Sequence, residues 1–528
     1  MGEVTVTMRT RLTAISGLAV LGLTMAAMSA CTTPGSSSGS SGGSGGGQML
    51  TMSTPTEPDS LDPTFANTFA ANMVFTSFCE KLYDTDQNLK IVPELAAAMP
   101  KIAKNGLSED IKIKPGVKFN DGTPLNAEAV KTSLDRDLTA KGSARVQDLE
   151  AVKSVSVKDP MTVHIDLKHE SAALTAQFTS RAGLVMSPTA LKKEGLNFQK
   201  NPVCVGPFKY KSRVSGTSMT FVKSNDYYDK DKVKLAGVTY KFITDSSVAT
   251  ANLQSGDVDV AEHLAPSDVS KLQNNPDFKV LKSNTIAYQG VDINVDPKSG
   301  TDLSKSAKLR EAFEMAIDRK TLNSAVWQNA EIVDCNPLPM QSPLRTNIPC
   351  TPYDVAGAKK LVQQSGIKSP SIELLVSSGD ASVREGQAVQ SMLEKVGFTV
   401  KIRTMDLVSG IQYADEGKSD AFLVGWSGRV DPDGDLNDLV TTGGSNNFSH
   451  LSDPTIDKLV REAATTYDQS QRKALYAQIV KRLDTIRSTI YLYHDRWYTG
   501  TSKNVSGIVY GPDGFPRLKT ASTSSSGQ

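Results

Sequence analysis

One apolar run in this chain is long enough to leave water, and it lies at the very front, from Leu12 to Ala30. No second run of about 18 apolar residues follows, so the body is expected to fold in water around cores of its own. The chain has 528 residues. At roughly 100–200 residues per domain that predicts two or three domains. Helical and strand periodicities are interspersed along the body. Met161, Val163, Ile165 and Leu167 alternate with polar residues and predict a strand. Ile111 and Ile113 do the same ahead of turns at Pro115-Gly116 and Asp121-Gly122. Leu309, Ala312, Phe313, Ala316 and Ile317 recur at helical spacing. Ile456, Leu459, Val460 and Ala463 repeat that pattern after a cap at Ser452 or Asp453. Ile490 to Tyr493 predicts a short apolar strand. The expected class is α/β, with strands and helices intermixed and no internal repeat.

Arg9 and Arg11 precede the apolar run, and Ser29 and Ala30 precede Cys31. A basic start, an apolar middle and small residues at the cut make a secretory signal. The junction resembles the lipobox of bacterial lipoproteins, although Met28 stands where that pattern prefers Leu. There the cysteine takes a diacylglycerol and acyl chains such as palmitate, and becomes the new N-terminus. The alternative is an uncleaved spanning anchor, since the run is almost long enough. Glu3 is unusual for a signal and makes Met8 an alternative start. The expected division is a signal over 1–30 and a Ser/Gly-rich tether over 31–47, a composition that cannot pack a core.

Several functions are excluded by what the residues do not do. The 58 basic and 57 acidic residues nearly cancel, and no basic patch invites nucleic acid. His164, His169, His263, His450 and His494 form no H-x-x-x-H pair and no C-x-x-C exists, so neither a metal site nor a cofactor is expected. Gly417-Lys418-Ser419 ends like a phosphate loop, but Gln412 stands where the first glycine belongs. Gly425-Trp426-Ser427-Gly428 approaches a nucleophile elbow, and Arg429 replaces its last glycine. Asp431, Asp433 and Asp435 have calcium-loop spacing, but Leu436 and Thr442 stand where Gly and Glu belong.

Behind Cys31 remain Cys79, Cys204, Cys335 and Cys350. An even count in an exported chain predicts disulfides. Cys335 and Cys350 flank a Pro-rich loop (NPLPMQSPLRTNIP) and are expected to pair; Cys79–Cys204 follows by elimination. Four buried thiols are the alternative.

Segments spread along the body resemble the oligopeptide/dipeptide/nickel class of bacterial extracellular solute-binding proteins. They are Glu57 to Pro63 (EPDSLDP), Lys114 to Val130 (KPGVKFNDGTPLNAEAV) and Asn201 to Tyr210 (NPVCVGPFKY). Leu253 to Asp259 (LQSGDVD), Leu309 to Arg319 (LREAFEMAIDR) and Phe422 to Asp433 (FLVGWSGRVDPD) continue the series in family order. The resemblance implies a periplasmic-binding-protein-like fold of two α/β lobes joined by two crossing hinge strands, with ligand between them. Lobe I is expected over 48–92, 200–287 and 492–520. An extra domain inserted over 93–199 would decorate it, lobe II would span 288–491, and 521–528 would be a disordered tail. The implied function is the substrate-binding lipoprotein of an ABC importer, with no catalytic activity. It would be a monomer, lipid-anchored on the outer face of the cell membrane. It would deliver a peptide or small organic solute to the permease subunits. An exported hydrolase, or a lipoprotein with a chaperone or sensor role, is the alternative.

The expected ligand site centres on Gly425 to Asp433, where an apolar strand runs into a polar turn and presents Trp426 and charges to a cleft. Asn446, Asn447 and Phe448 resemble a second cleft loop, and Tyr288 and Asn294 lie near the expected crossover. In peptide-binding members of the class the third residue after this tryptophan is typically Asp, which pairs with the peptide α-ammonium. Here it is Arg429, with the nearest carboxylate at Asp431. Two readings stay open. Either Arg429 faces a carboxylate-bearing ligand, which a guanidinium fork suits, or it pairs with Asp431 or Asp433 as structure.

Overall fold

A computed structural model describes residues 47–524. The expected signal, Cys31, most of the tether and the last residues of the tail lie outside the described residues, whereas the start of the expected disordered tail is ordered: Ala521 is buried and Ser522–Thr523 pairs with Val505–Ser506. Among those described, no helix is long and apolar enough to cross a membrane.

The body is built on an 11-stranded mixed sheet. From one edge its strands run Thr399–Met405, Ser371–Ser377, Ala421–Trp426, Phe278–Ile293, Thr489–Ser502, Val260–Ala261, Met49–Thr54, Gly237–Phe242, Ser218–Lys223 and Phe208–Val214, with Ile332–Val333 paired to the side. The two central strands are the longest, at 16 and 14 residues, and they pair antiparallel from Phe278↔Ser502 to Asp292↔Thr489. One pairs outward with Ala421–Trp426 and the other with Val260–Ala261, so both pass from one half of the sheet to the other. Their register breaks between Asn284 and Tyr288 and again between Gln289 and Gly290, the kind of irregularity that bends a strand pair and increases its twist. The short strand expected at Ile490 to Tyr493 is thus the apolar third of a crossing strand.

Each half has its own core. Phe78, Phe208, Phe221 and Tyr240 lie in one buried cluster; Phe313, Leu374, Val389 and Leu423 lie in another. A separate four-stranded antiparallel sheet runs Lys101–Ile102, Ser108–Lys112, Thr162–Leu167 and Val152–Asp159. Its Ile111, Val163 and Ile165 belong to the first cluster. The alternation read over 161–167 is therefore a strand with one buried face. The helix expected around Leu309 spans Ala307–Ala316, and that expected at Ile456 spans Pro454–Thr465 with Asp453 capping Thr455 and Ile456.

The motif residues have local reasons. In KPGVKFNDGTPLNAEAV, Gly122 turns the chain at φ +84°, and Asp121 accepts from the Thr123 N–H. Asn126 then caps the helix Ala127–Thr139 by accepting from Ala129 N–H. The Asn120 amide donates to the Phe208 carbonyl at 2.8 Å, joining this turn to NPVCVGPFKY. In that second segment a side chain at Gly206 would put its first carbon 2.4 Å from the Phe78 carbonyl carbon, so only glycine lets the strand approach the helix end.

Both disulfides form, Cys79–Cys204 and Cys335–Cys350. The second closes a 15-residue separation already held by the Arg345–Asp334 ion pair at 2.7 Å. On chain-entropy reasoning it stabilises by about 3 kcal/mol. A Cys335→Ser/Cys350→Ser chain should therefore unfold at lower guanidinium concentration, with a slope equal to or somewhat steeper than the native one because the freed unfolded chain exposes more surface. An unaltered midpoint would contradict the estimate.

Candidate functional site

The strand Ala421–Trp426 delivers its last residue to the edge of a gap between the two halves. Gly428 then turns the chain at φ +74°, where a side chain would meet the Ile286 carbonyl oxygen at 2.3 Å. This close approach fixes the turn against a crossing strand. The helix Asp433–Val440 follows, and its Asp435 accepts the Trp426 indole N–H at 2.6 Å. Burial lifts the Asp435 carboxyl to about 7, against the pull of Arg429 and the indole N–H. With its N–H engaged, Trp426 offers a ring face, and the Arg429 guanidinium lies 4.9 Å from that ring's centroid.

Asp431 does not pair with Arg429. Both its oxygens take the fork of Arg472, at 2.7 and 2.8 Å. Arg472 is 1 % exposed and also donates to the Ala463 carbonyl and the Tyr476 hydroxyl. Burial, with Asp431 beside it, lifts Asp433 to about 7. Arg429 donates only to Ser427 Oγ at 3.2 Å and the Gly428 carbonyl at 3.0 Å.

The gap is a cavity of about 360 Å³, walled on the second half by Ser427 to Asp431 and on the first by Phe69, Phe75, Arg181, Trp497 and Phe515. Phe69, Trp497 and Phe515 form an aromatic wall, with ring centroids 4.6 to 6.1 Å apart. Most charges around it are matched. Lys81 pairs with Asp84 at 2.6 Å, Arg517 with Asp513 at 2.9 Å, and Lys519 with Asp229 at 2.6 Å. Against the cost of burial, Lys81 and Arg517 hold the Asp84 carboxyl well below its usual range. Glu80 accepts from the Tyr227 and Tyr228 hydroxyls, and burial raises its pKa. Glu94 accepts the Lys81 backbone N–H, and burial beside Glu80 and Asp84 pushes it up to about 8.

Two cations lining the cavity have no carboxylate partner among the described residues, Arg429 and Arg181. Arg181 makes one long hydrogen bond, to the Thr68 carbonyl at 3.4 Å, and its Nε has none. Burial, then the charges of Arg145 and Arg429, draw its pKa down to about 10. Arg145, 3 % exposed behind them, pairs with Asp148, yet its Nε also lacks a partner.

Of the residues singled out from sequence, Arg429 and Asp431 line the cavity and Trp426 stands behind Arg429. The others serve packing or backbone. Tyr288 is 6 % exposed on a crossing strand, opposite Trp426 and His494 in register, with its ring edge-on to Tyr491 at 5.0 Å. The Asn294 amide donates to the Gly417 and Ser419 carbonyls. The Asn447 amide donates to Thr441 and Leu451, and its oxygen accepts from Ser449 and Leu451. Asn446 donates its backbone N–H to the Asp438 carbonyl and its amide to Ser445, and Phe448 packs on Phe422 at 5.8 Å. Arg181, Phe69, Trp497 and Phe515 carried no sequence signal, because nothing local marks them.

The family described as "Bacterial extracellular solute-binding proteins, family 5 Middle" matches residues 90–447. The glutathione-binding protein GsiB of Pectobacterium atrosepticum is 27% identical over 469 residues, covering 86% of this chain and 90% of that one. NikZ from Campylobacter jejuni, solved with Ni(L-His), superposes with a TM-score of 0.77 at 25% identity, covering 90% of this chain and 99% of that one. CtaP from Listeria monocytogenes, a substrate-binding protein of an ABC transporter, reaches 0.81 at 22% identity, with 90% and 99% covered.

Proposed function

Because the chain belongs to the bacterial extracellular solute-binding proteins of family 5, we propose that it captures a peptide or small solute carrying a free carboxylate, gripped between Arg181 and Arg429. The family makes it an extracytoplasmic substrate-binding protein of an ABC importer for peptides or small solutes, not an enzyme. The carboxylate is the finer reading. One observation carries it: two guanidinium groups share a half-buried cavity and repel each other, and among the described residues neither forms an ion pair, although Asp435 and Asp438 feel the charge of Arg429. Unpaired charge at such a site is costly, and a ligand anion relieves it. The aromatic wall opposite suits an apolar ligand body. Several relatives are named for binding glutathione, a peptide with two free carboxylates, which accords with this reading.

Mass spectrometry of solute retained by the purified protein, followed by calorimetric titration, tests it. Glutathione, short peptides and small organic acids should be compared with their amides and esters. Carboxylate forms should bind and their neutral derivatives should not. Equal binding of amidated and free peptides would defeat the proposal.

The division into lobes over 48–92, 200–287 and 492–520 against 288–491, with 93–199 as an addition to the first, is supported by the two cores and the separate four-stranded sheet. Hinge motion about the crossing strands would close the cleft, and the closed monomer would dock on its permease. Anchoring through lipid on Cys31 rests on the Ser29-Ala30-Cys31 junction. A diacyl group holds stably where one acyl chain does not. Cys31→Ala should therefore move the protein from the membrane fraction to the medium. An alanine variant that stays membrane-bound and uncleaved would mean a spanning anchor.

A further inference from the structure

A second cavity, of about 460 Å³, shares only Trp497 with the first. It is walled by His263 to Ser267 from the first half, by Val326 to Gln328 and Ala381 to Glu385 from the second, and by Tyr493 to Tyr498 of a crossing strand. Three carboxyl groups line it, Glu331, Glu385 and Asp495, and among the described residues none forms an ion pair. Glu385 is fully buried. Its Oε2 accepts from the Tyr493 hydroxyl at 3.1 Å, while Oε1 accepts nothing. The Trp327 indole N–H and the Gln289 amide lie near enough to favour its charged form, but neither completes a hydrogen bond to Oε1. Glu331 accepts the Arg496 backbone N–H at 2.7 Å.

The cations nearby do not answer these acids. Arg496 Nε donates to Asn284, and Arg384 is exposed. Both ring nitrogens of His263 lack partners, and burial pushes its pKa down to about 4, leaving the ring neutral at pH 7. Burial, with Asp495 beside it, lifts Glu331 to about 8; burial lifts Glu385 to about 7 and Asp495 to about 6. Burial without a paired cation raises all three, so a ligand cation would favour their charged forms.

We infer that this cavity is a second ligand site, specific for an organic ammonium ion. An ammonium supplies the N–H donor that Glu385 Oε1 lacks and a charge for Glu331 and Asp495. The aromatic side chains Trp327, Trp497 and Tyr498 line the cavity and suit the cation's apolar body. A metal ion does not fit. Among the described residues the one group of three or more acid, cysteine or histidine ligand atoms lying within 4.8 Å of one another is Asp334, Cys335 and Cys350, whose cysteines are joined in a disulfide. The three carboxyl groups here do not bring their oxygens together within 4.8 Å, which suits a cation larger than a metal ion. The occupant touches both halves, and Trp497 borders both cavities, so its binding and that of the cleft ligand are coupled in both directions.

The test titrates the protein with phenylethylammonium chloride and with phenylacetate, by calorimetry and tryptophan fluorescence. Two of the three tryptophans line this cavity. The ammonium should bind saturably at one site, and phenylacetate, which the cleft between Arg181 and Arg429 can take up, should not displace it. Glu385→Gln and Asp495→Asn should each weaken ammonium binding about tenfold or more. Should Glu385→Gln fail to fold, Asp495→Asn, at a half-buried position, decides alone. No saturable binding, or binding unchanged in the folded variants, overturns the inference.

Discussion

Arg429→Ala is expected to weaken capture of a carboxylate-bearing ligand by roughly a hundredfold or more, with little change in melting temperature. Truncating one partner of a buried, hydrogen-bonded charge pair costs about 2–5 kcal/mol, and each 1.4 kcal/mol is about tenfold in affinity. The fold loses much less. Without ligand, Arg429 holds only the Trp426 face, Ser427 Oγ and the Gly428 carbonyl, and a cation–π contact at such a site contributes about 0.5–1 kcal/mol. Burial chiefly depresses the pKa of Arg145 and Arg181, and removing Arg429 relieves the repulsion that adds to it. Arg181→Ala should lower affinity in the same way. Arg429→Lys should fall between, since it keeps the charge but loses the fork. Titration calorimetry reads the affinities and a thermal melt reads the fold. If Arg429→Ala bound free-amine peptides as tightly as the native protein, the arginine would have no part in recognition.

The Cys79–Cys204 bridge should contribute more to stability than any single side chain in the molecule. It spans 125 residues, so its removal restores a large loop entropy to the unfolded chain, about 5 kcal/mol on the same reasoning that gives about 3 for the shorter bridge. The bridge joins Cys79, at the end of the helix Phe69–Phe78, to Cys204 in the segment that approaches it through Gly206. Cys79 also borders the cavity, beside Glu80. Both cysteines are buried, at 3 % and 0 % exposure, so a Cys79→Ala/Cys204→Ala chain loses packing as well. Its melting point should fall on the order of 10 °C, and its ligand affinity should fall because the first wall is loosened. A fall smaller than that of the Cys335→Ser/Cys350→Ser chain would show that residual structure in the unfolded state, not loop length, sets the contribution.

What the residues decided alone is local. Alternation over 161–167 became a strand because one face has a core beneath it, and Asp453 caps its helix because its carboxylate reaches N–H groups two and three residues on. Such signals act within a turn or two of the chain, where covalent geometry fixes who meets whom. The ordered motifs from Glu57 to Asp433 carried the family, and with it the two-lobed fold. Which charges are free was decided only by the tertiary structure. Asp431 stands two residues from Arg429, yet its partner is Arg472, 41 residues away, on a helix that packs over the turn. Arg181 comes from a segment with no pattern of its own and reaches the cavity because the first half carries it there. Asn294 and Asn447 look available in sequence, but folding engages their amides with backbone carbonyls. Whether a charged or polar side chain can meet a ligand depends on which partners folding brings within about 3 Å, and spacing along the chain does not encode that distance.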